Sequence, residues 1–127
     1  MNRINFLSAR KDDFRNNESG TIRFYGGSYS DPRFKRVLYS LIAGTRGGIT
    51  RAKIVDLINI APANANQISL VLKIDYKTVM HHIQVLIKNG LVITDSEGLY
   101  GATYLLTPIM ENNYKVFHEI MTRIEKN

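Results

Sequence analysis

The chain has 127 residues, no cysteine, a formal net charge of +6 and a pI near 9.7. That length makes one domain with a real core the default, and the missing thiols exclude disulfides, thiolate metal sites and a cysteine nucleophile. No apolar run approaches the roughly 18–20 residues of a membrane span, and the polar opening MNRINFLSARKDDF is unlike a signal peptide, so a cytoplasmic protein is expected.

The charge is uneven. Residues 1–53 carry 11 Lys/Arg against 4 Asp/Glu, and the remainder 6 against 7. A polyanionic partner fits such a basic half. Residues 1–30 mix Asn, Ser, Gly and charge without a sustained period and read as a partly flexible N-terminal arm. Within it, TIRFYGG has the composition to add a short strand elsewhere.

Asp31-Pro32 opens the first helix, with a capping carboxylate followed by proline at the first helical position. Phe34, Val37, Leu38, Leu41 and Ile42 form one apolar stripe. Arg33, Lys35 and Arg36 crowd the first turn, where the helix dipole disfavours positive charge. They are either a solvated face or contacts that phosphates compensate. AGTRGG lacks the spacing and lysine of a phosphate-binding loop and reads as a turn. A second helix is expected from Thr50, with Ile49 and Ile54 placed as a hydrophobic staple. Ile54, Leu57 and Ile58 face the core, and Pro62 ends the element.

Asn64 and Gln67 have the spacing of a capping box and open a short helix carrying Ile68, Val71 and Leu72. After a turn at Lys73-Ile74, Asp75 caps a helix running from Tyr76 to about Asn89, which Gly90 stops. Leu91–Thr94 and Ala102–Leu106 flank a turn-forming segment and predict a hairpin. Thr107-Pro108 restarts a helix. In it Met110, Tyr114, Phe117, Met121 and Ile124 alternate at spacings of four and three, a seam for a second copy of the chain. The other reading packs this stripe on the chain's own core.

Two short helices and a hairpin make a winged helix-turn-helix, mainly α with a small β-hairpin (α+β). Residues 1–30 are its arm, 31–106 the domain and 107–127 a C-terminal dimerisation helix. The run NANQISLVLKIDYKTVMHHIQVLIKNGLV resembles the DNA-binding core of archaeal regulators related to the ArsR-like winged-helix family, and IAGTRGGITRAKIVDLI resembles their lead-in segment. The resemblance spans roughly residues 42–106. It implies a homodimeric transcription factor that binds double-stranded DNA with the second helix of the pair in the major groove.

The helix from Tyr76 agrees with this on its own terms. Val79, Ile83 and Leu86 mark its core face, and Lys77, His81, Gln84 and Lys88 step by four, three and four along a polar stripe opposite. Tyr76, Lys77 and Thr78 stand at the N-terminal end, which approaches base edges in helix-turn-helix docking. Gln84 has the chemistry to pair with adenine. Each of these side chains has the plainer reading of a solvated surface group. His82 borders the core and reads as a structural histidine bonded to backbone or to a phosphate, while His81, about 100° away, is a candidate DNA contact.

Metal binding is not expected. Adjacent helical residues do not face each other, and zinc wants three or four ligands where only distant His118 and scattered carboxylates remain. No cofactor is implied, and no nucleophile–base constellation suggests an enzyme.

Two features depart from the family pattern. Lys73 sits where the family often has glycine, so either a left-handed residue costs roughly 1 kcal/mol there or the turn is built differently. The hairpin tip DSEGLYG carries two acids and no Lys or Arg, although a wing in the minor groove normally brings a cation. Backbone charge then falls to Arg33, Lys35 and Arg36, or to Arg10, Lys11 and Arg15 of the arm. The alternative function is a winged helix used as a protein-interaction module, against which the polar, basic stripe argues.

Overall fold

The computed structural model describes residues 31–96 and 99–126. The arm, with TIRFYGG, Arg10, Lys11 and Arg15, lies outside the described residues. Helix α1 spans Pro32–Ile42. The Asp31 carboxylate accepts from the Arg33 backbone N–H at 2.9 Å, and Phe34, Leu38 and Ile42 are buried, with Val37 and Leu41 half-buried beside them. The expected stripe is the buried one.

Helix α2 spans Gly48–Ile60 and begins two residues earlier than expected. The reason is the pair Gly47-Gly48. Gly47 caps the helix with φ +86°, a conformation cheap only for glycine. A Cβ on Gly48 would lie 1.9 Å from the Ile42 carbonyl oxygen, so α1 and α2 approach too closely there for a side chain. Ile49 consequently falls inside the helix and is 56% exposed, so the expected staple is not made. Ala52, Ile54, Val55 and Ile58 are buried on a helix that packs against α1 and, beyond them, the elements below.

A two-residue strand, β1 (Ala63–Asn64), follows and was not expected. Helix α3 spans Ala65–Leu72, and the capping box is complete: the Asn64 side chain accepts from Gln67 N–H at 2.8 Å, and the Gln67 side chain from Asn64 N–H at 2.9 Å. Ile68 is fully buried and Leu72 half-buried. Val71, expected inside, is 59% exposed next to Leu70 at 70%. An eight-residue helix turning sharply into its neighbour can bury only one narrow stripe. That turn is left-handed at Lys73, with φ 59° and ψ 44°, so the costlier of the two expected turn geometries is the real one.

Helix α4 spans Tyr76–Lys88. Asp75 caps it, accepting from Thr78 N–H at 3.1 Å, and Gly90 leaves it at φ +82°. Strands β2 (Val92–Thr94) and β3 (Thr103–Leu106) form the hairpin, pairing Val92 with Leu106 and Thr94 with Tyr104. The sheet order is β1-β3-β2, all antiparallel, with Ala63 opposite Tyr104. α4 packs on α3, α2 and β2, and α2 on β3.

The C-terminal segment is two helices rather than one. α5 spans Pro108–Asn112 and α6 spans Tyr114–Lys126. At the break, the Asn113 side chain donates to the Ile109 carbonyl at 2.9 Å, a local bond that competes with the continuing helix. α6 packs on α1, and this corrects the seam. Met110 and Phe117 are wholly buried by the chain itself, and Ile120 nearly so; they offer no surface to a second copy. Tyr114, Met121 and Ile124 pack half-buried against the same core. The Tyr114 hydroxyl donates to the Asp56 carboxylate on α2, and burial together with that bond pushes the phenol up to about 12. The apolar stripe of α6 is thus covered by α1 and α2 of the same chain.

Candidate nucleic-acid interface

The face of α4 turned from the core carries Lys77, His81, Gln84 and Lys88, all exposed. Val79, Ile83 and Leu86, fully buried, fix the helix's rotation. Since 3.6 residues make a turn, locking these three leaves the polar stripe no orientation but outward. Met80 packs inward, within 3.9 Å of the Tyr104 hydroxyl.

The N-terminal end is more committed than the sequence suggests. Thr78 spends its hydroxyl proton on Asp75 at 2.7 Å. That bond, with backbone N–H groups, holds the Asp75 carboxyl below its ordinary value. Thr78 therefore offers lone pairs rather than a free donor. Tyr76 is exposed, and its ring lies 6.3 Å from that of Tyr100 at a 34° tilt. Tyr100 is 84% exposed, so the wing tip reaches the start of α4 through an aromatic pair instead of a cation.

The adjacent histidines diverge. Their rings are 5.3 Å apart at 62°; His81 is exposed and His82 buried. The expectation of a backbone or phosphate partner for His82 is corrected: its Nδ1 faces the Arg51 Nη1 at 3.3 Å. A guanidinium has only donors, so Nδ1 accepts and the ring proton sits on Nε2. Burial, then the neighbouring Arg51 and His81, lowers the His82 pKa. Among the described residues no three of His, Asp and Glu gather into a metal-binding cluster, and no helix is long and apolar enough to cross a membrane.

Tyr76, Lys77, Thr78, His81, Gln84 and Lys88 thus share one helix, whereas Arg33, Lys35 and Arg36 do not join them. They lie exposed on the first turn of α1, with Arg33 Nε 3.8 Å from Asp31. The part of α1 that approaches α4 through Arg51 is its last turn, at Leu41. At 1.5 Å per residue, Arg33 lies about 12 Å back along the axis.

Arg51 was missed by the sequence reading. It lies three before Ile54 and four before Val55, on the buried stripe of α2, and a charge at a core position was the available signal. Arg51 as a whole is 5% exposed, and burial lowers its pKa.

This architecture is a winged helix-turn-helix. Residues 49–94, from α2 through β2, match the bacterial regulatory protein, arsR family. Two solved structures are similar in fold. One is Staphylococcus aureus MarR in complex with salicylate and kanamycin, at 14% identity and TM-score 0.55, covering 94% of this chain and 78% of that one. The other is a MarR family transcription regulator, at 16% identity and TM-score 0.52, with the same coverages. No curated protein matches the chain. Together the domain match and fold support a DNA-binding transcriptional regulator.

Proposed function

We propose that the chain is a sequence-specific, double-stranded-DNA-binding transcriptional regulator that acts as a homodimer with α4 in the major groove. The observation that carries this is the outward stripe Lys77–His81–Gln84–Lys88 on a helix whose opposite face is locked by Val79, Ile83 and Leu86. Lys77 and Lys88 supply charge for phosphates, and His81 and Gln84 present donors and acceptors to base edges. A two-fold pair of such helices meets half-sites about one helical turn, 34–36 Å, apart. The half-buried flank of α6 at Met121 and Ile124 is the part of the expected seam still open to a second copy.

The protein-interaction reading has one observation in its favour, the exposed Leu70 and Val71 on α3. Fluorescence anisotropy with duplex DNA across a salt series separates the two, comparing wild type with Lys77→Ala/His81→Ala. Salt-sensitive binding that the double variant loses supports α4 as the reading helix. Weak binding indifferent to the variant overturns it.

A further inference from the structure

We infer that the turn between α1 and α2 is a second contact to the DNA backbone, made by Arg46 and held in place by Arg51 and His82. This rests on α4 being the DNA-reading helix.

Arg51 is the starting point. Its bonds all go to neutral groups: Nε to the Leu41 carbonyl at 3.0 Å, Nη2 to the Thr45 hydroxyl and to the Arg46 carbonyl at 3.3 Å, and Nη1 to His82 Nδ1 at 3.3 Å. None of these acceptors is a carboxylate. A buried cation without a counter-charge is a poor stabiliser compared with an apolar side chain of similar volume. Its acceptors do share one property. They belong to the end of α1, the turn and the middle of α4, so a single guanidinium ties these three pieces into one surface.

The turn is seated tightly. A Cβ on Gly47 would stand 2.9 Å from His82 Cε1, so backbone meets the reading helix with no side chain between. Arg46 is the residue just before it, and it is exposed. Its carbonyl is spent on Arg51, and no described residue engages its guanidinium. His82 lies about 100° round the helix from His81 on the outward stripe. Arg46 therefore flanks that stripe rather than extending it. A cation beside a helix in the major groove meets the bordering phosphates, not the bases. The wing tip DSEGLYG has no cation; the turn supplies one from the other side.

The test is duplex DNA binding by the full chain, read as affinity and as the slope of log K against log salt. Variants are Arg46→Ala, Lys53→Ala as a control removing the same charge from α2, Arg51→Met, and Arg46→Ala/Arg51→Met. Arg46→Ala should weaken binding more than about fivefold regardless of DNA sequence and reduce the magnitude of the slope by about two, as losing one phosphate contact from each protomer of the dimer does. Lys53→Ala should leave the slope unchanged. Arg51→Met, if it positions Arg46, should lose the same increment, and the double variant should lose no more than either alone. Wild-type binding with an Arg46→Ala slope equal to that of Lys53→Ala overturns this inference and leaves the role of α4 standing. Wild type that binds no duplex DNA overturns both. If Arg51→Met does not fold by circular dichroism, the Arg46→Ala result decides.

Discussion

Arg51 on α2 and His82 on α4 meet through Nη1 and Nδ1 at 3.3 Å, and that contact exists only while the imidazole is neutral. Protonation would put a second cation against a buried one. The His82 pKa is depressed by burial, then by Arg51 and His81. A depressed histidine favours the unfolded chain as proton acceptor, so stability rises with pH. The contribution is whole above the ordinary histidine value of about 6.5 and is lost as pH falls from there through the folded value. Urea denaturation at pH 7.5, 6.0 and 5.0 should show wild type losing stability faster than His82→Gln. A difference between the two proteins that stays constant with pH would refute the assignment.

Lys73 holds a left-handed conformation at φ 59°, and the N–H of Ile74 closes the turn onto the Ser69 carbonyl at 3.2 Å. Lys73→Gly should stabilise the protein by about 0.5–1 kcal/mol, the relief of Cβ strain less the added freedom of the unfolded chain. An unchanged or lower denaturation midpoint would contradict the strain.

Phe117 is fully buried at the centre of α6. Phe117→Ala should cost about 3–5 kcal/mol, and by the same amount at every protein concentration, because its neighbours belong to its own chain. A loss that appears only at low concentration would return Phe117 to an interface between copies.

The reciprocal Asn64–Gln67 bonds satisfy two donors at the start of α3. Asn64→Ala should cost about 1 kcal/mol, and adding Gln67→Ala should cost clearly less than Gln67→Ala does alone, since the two act as a unit. Additive losses in the four-protein cycle would show that the box is not cooperative.

The helices were legible where one local signal dominated. Asp31-Pro32, Asn64/Gln67 and Asp75 cap as their chemistry requires, and the α1 and α4 stripes are buried as their period demands. Three features were not legible, each because it depends on contacts distant in sequence. β1 is two residues long and exists only because β3 lies beside it. Phe117 and Met110 carry a seam's spacing, and nothing local says whether the other side of the seam is α1 or another molecule. The Arg51–His82 contact joins residues 31 apart. The polar stripe of α4 was readable residue by residue, while the neighbouring turn with Arg46 looked like a plain Gly-rich connection.

The sheet order carries one more consequence. β3 is paired on both flanks, to β2 across the hairpin and to β1, whose last residue is itself the cap of α3. The wing is thus a braced fin and not a hanging arm: swinging it away from α4 would have to tear Ala63 from Tyr104 and disturb the first turn of α3 together. A protein built this way presents a gauge of fixed width. If α4 docks in the major groove as proposed, a groove that is too wide or too narrow makes the DNA the partner that yields, and sequences that deform easily are favoured at positions no side chain touches.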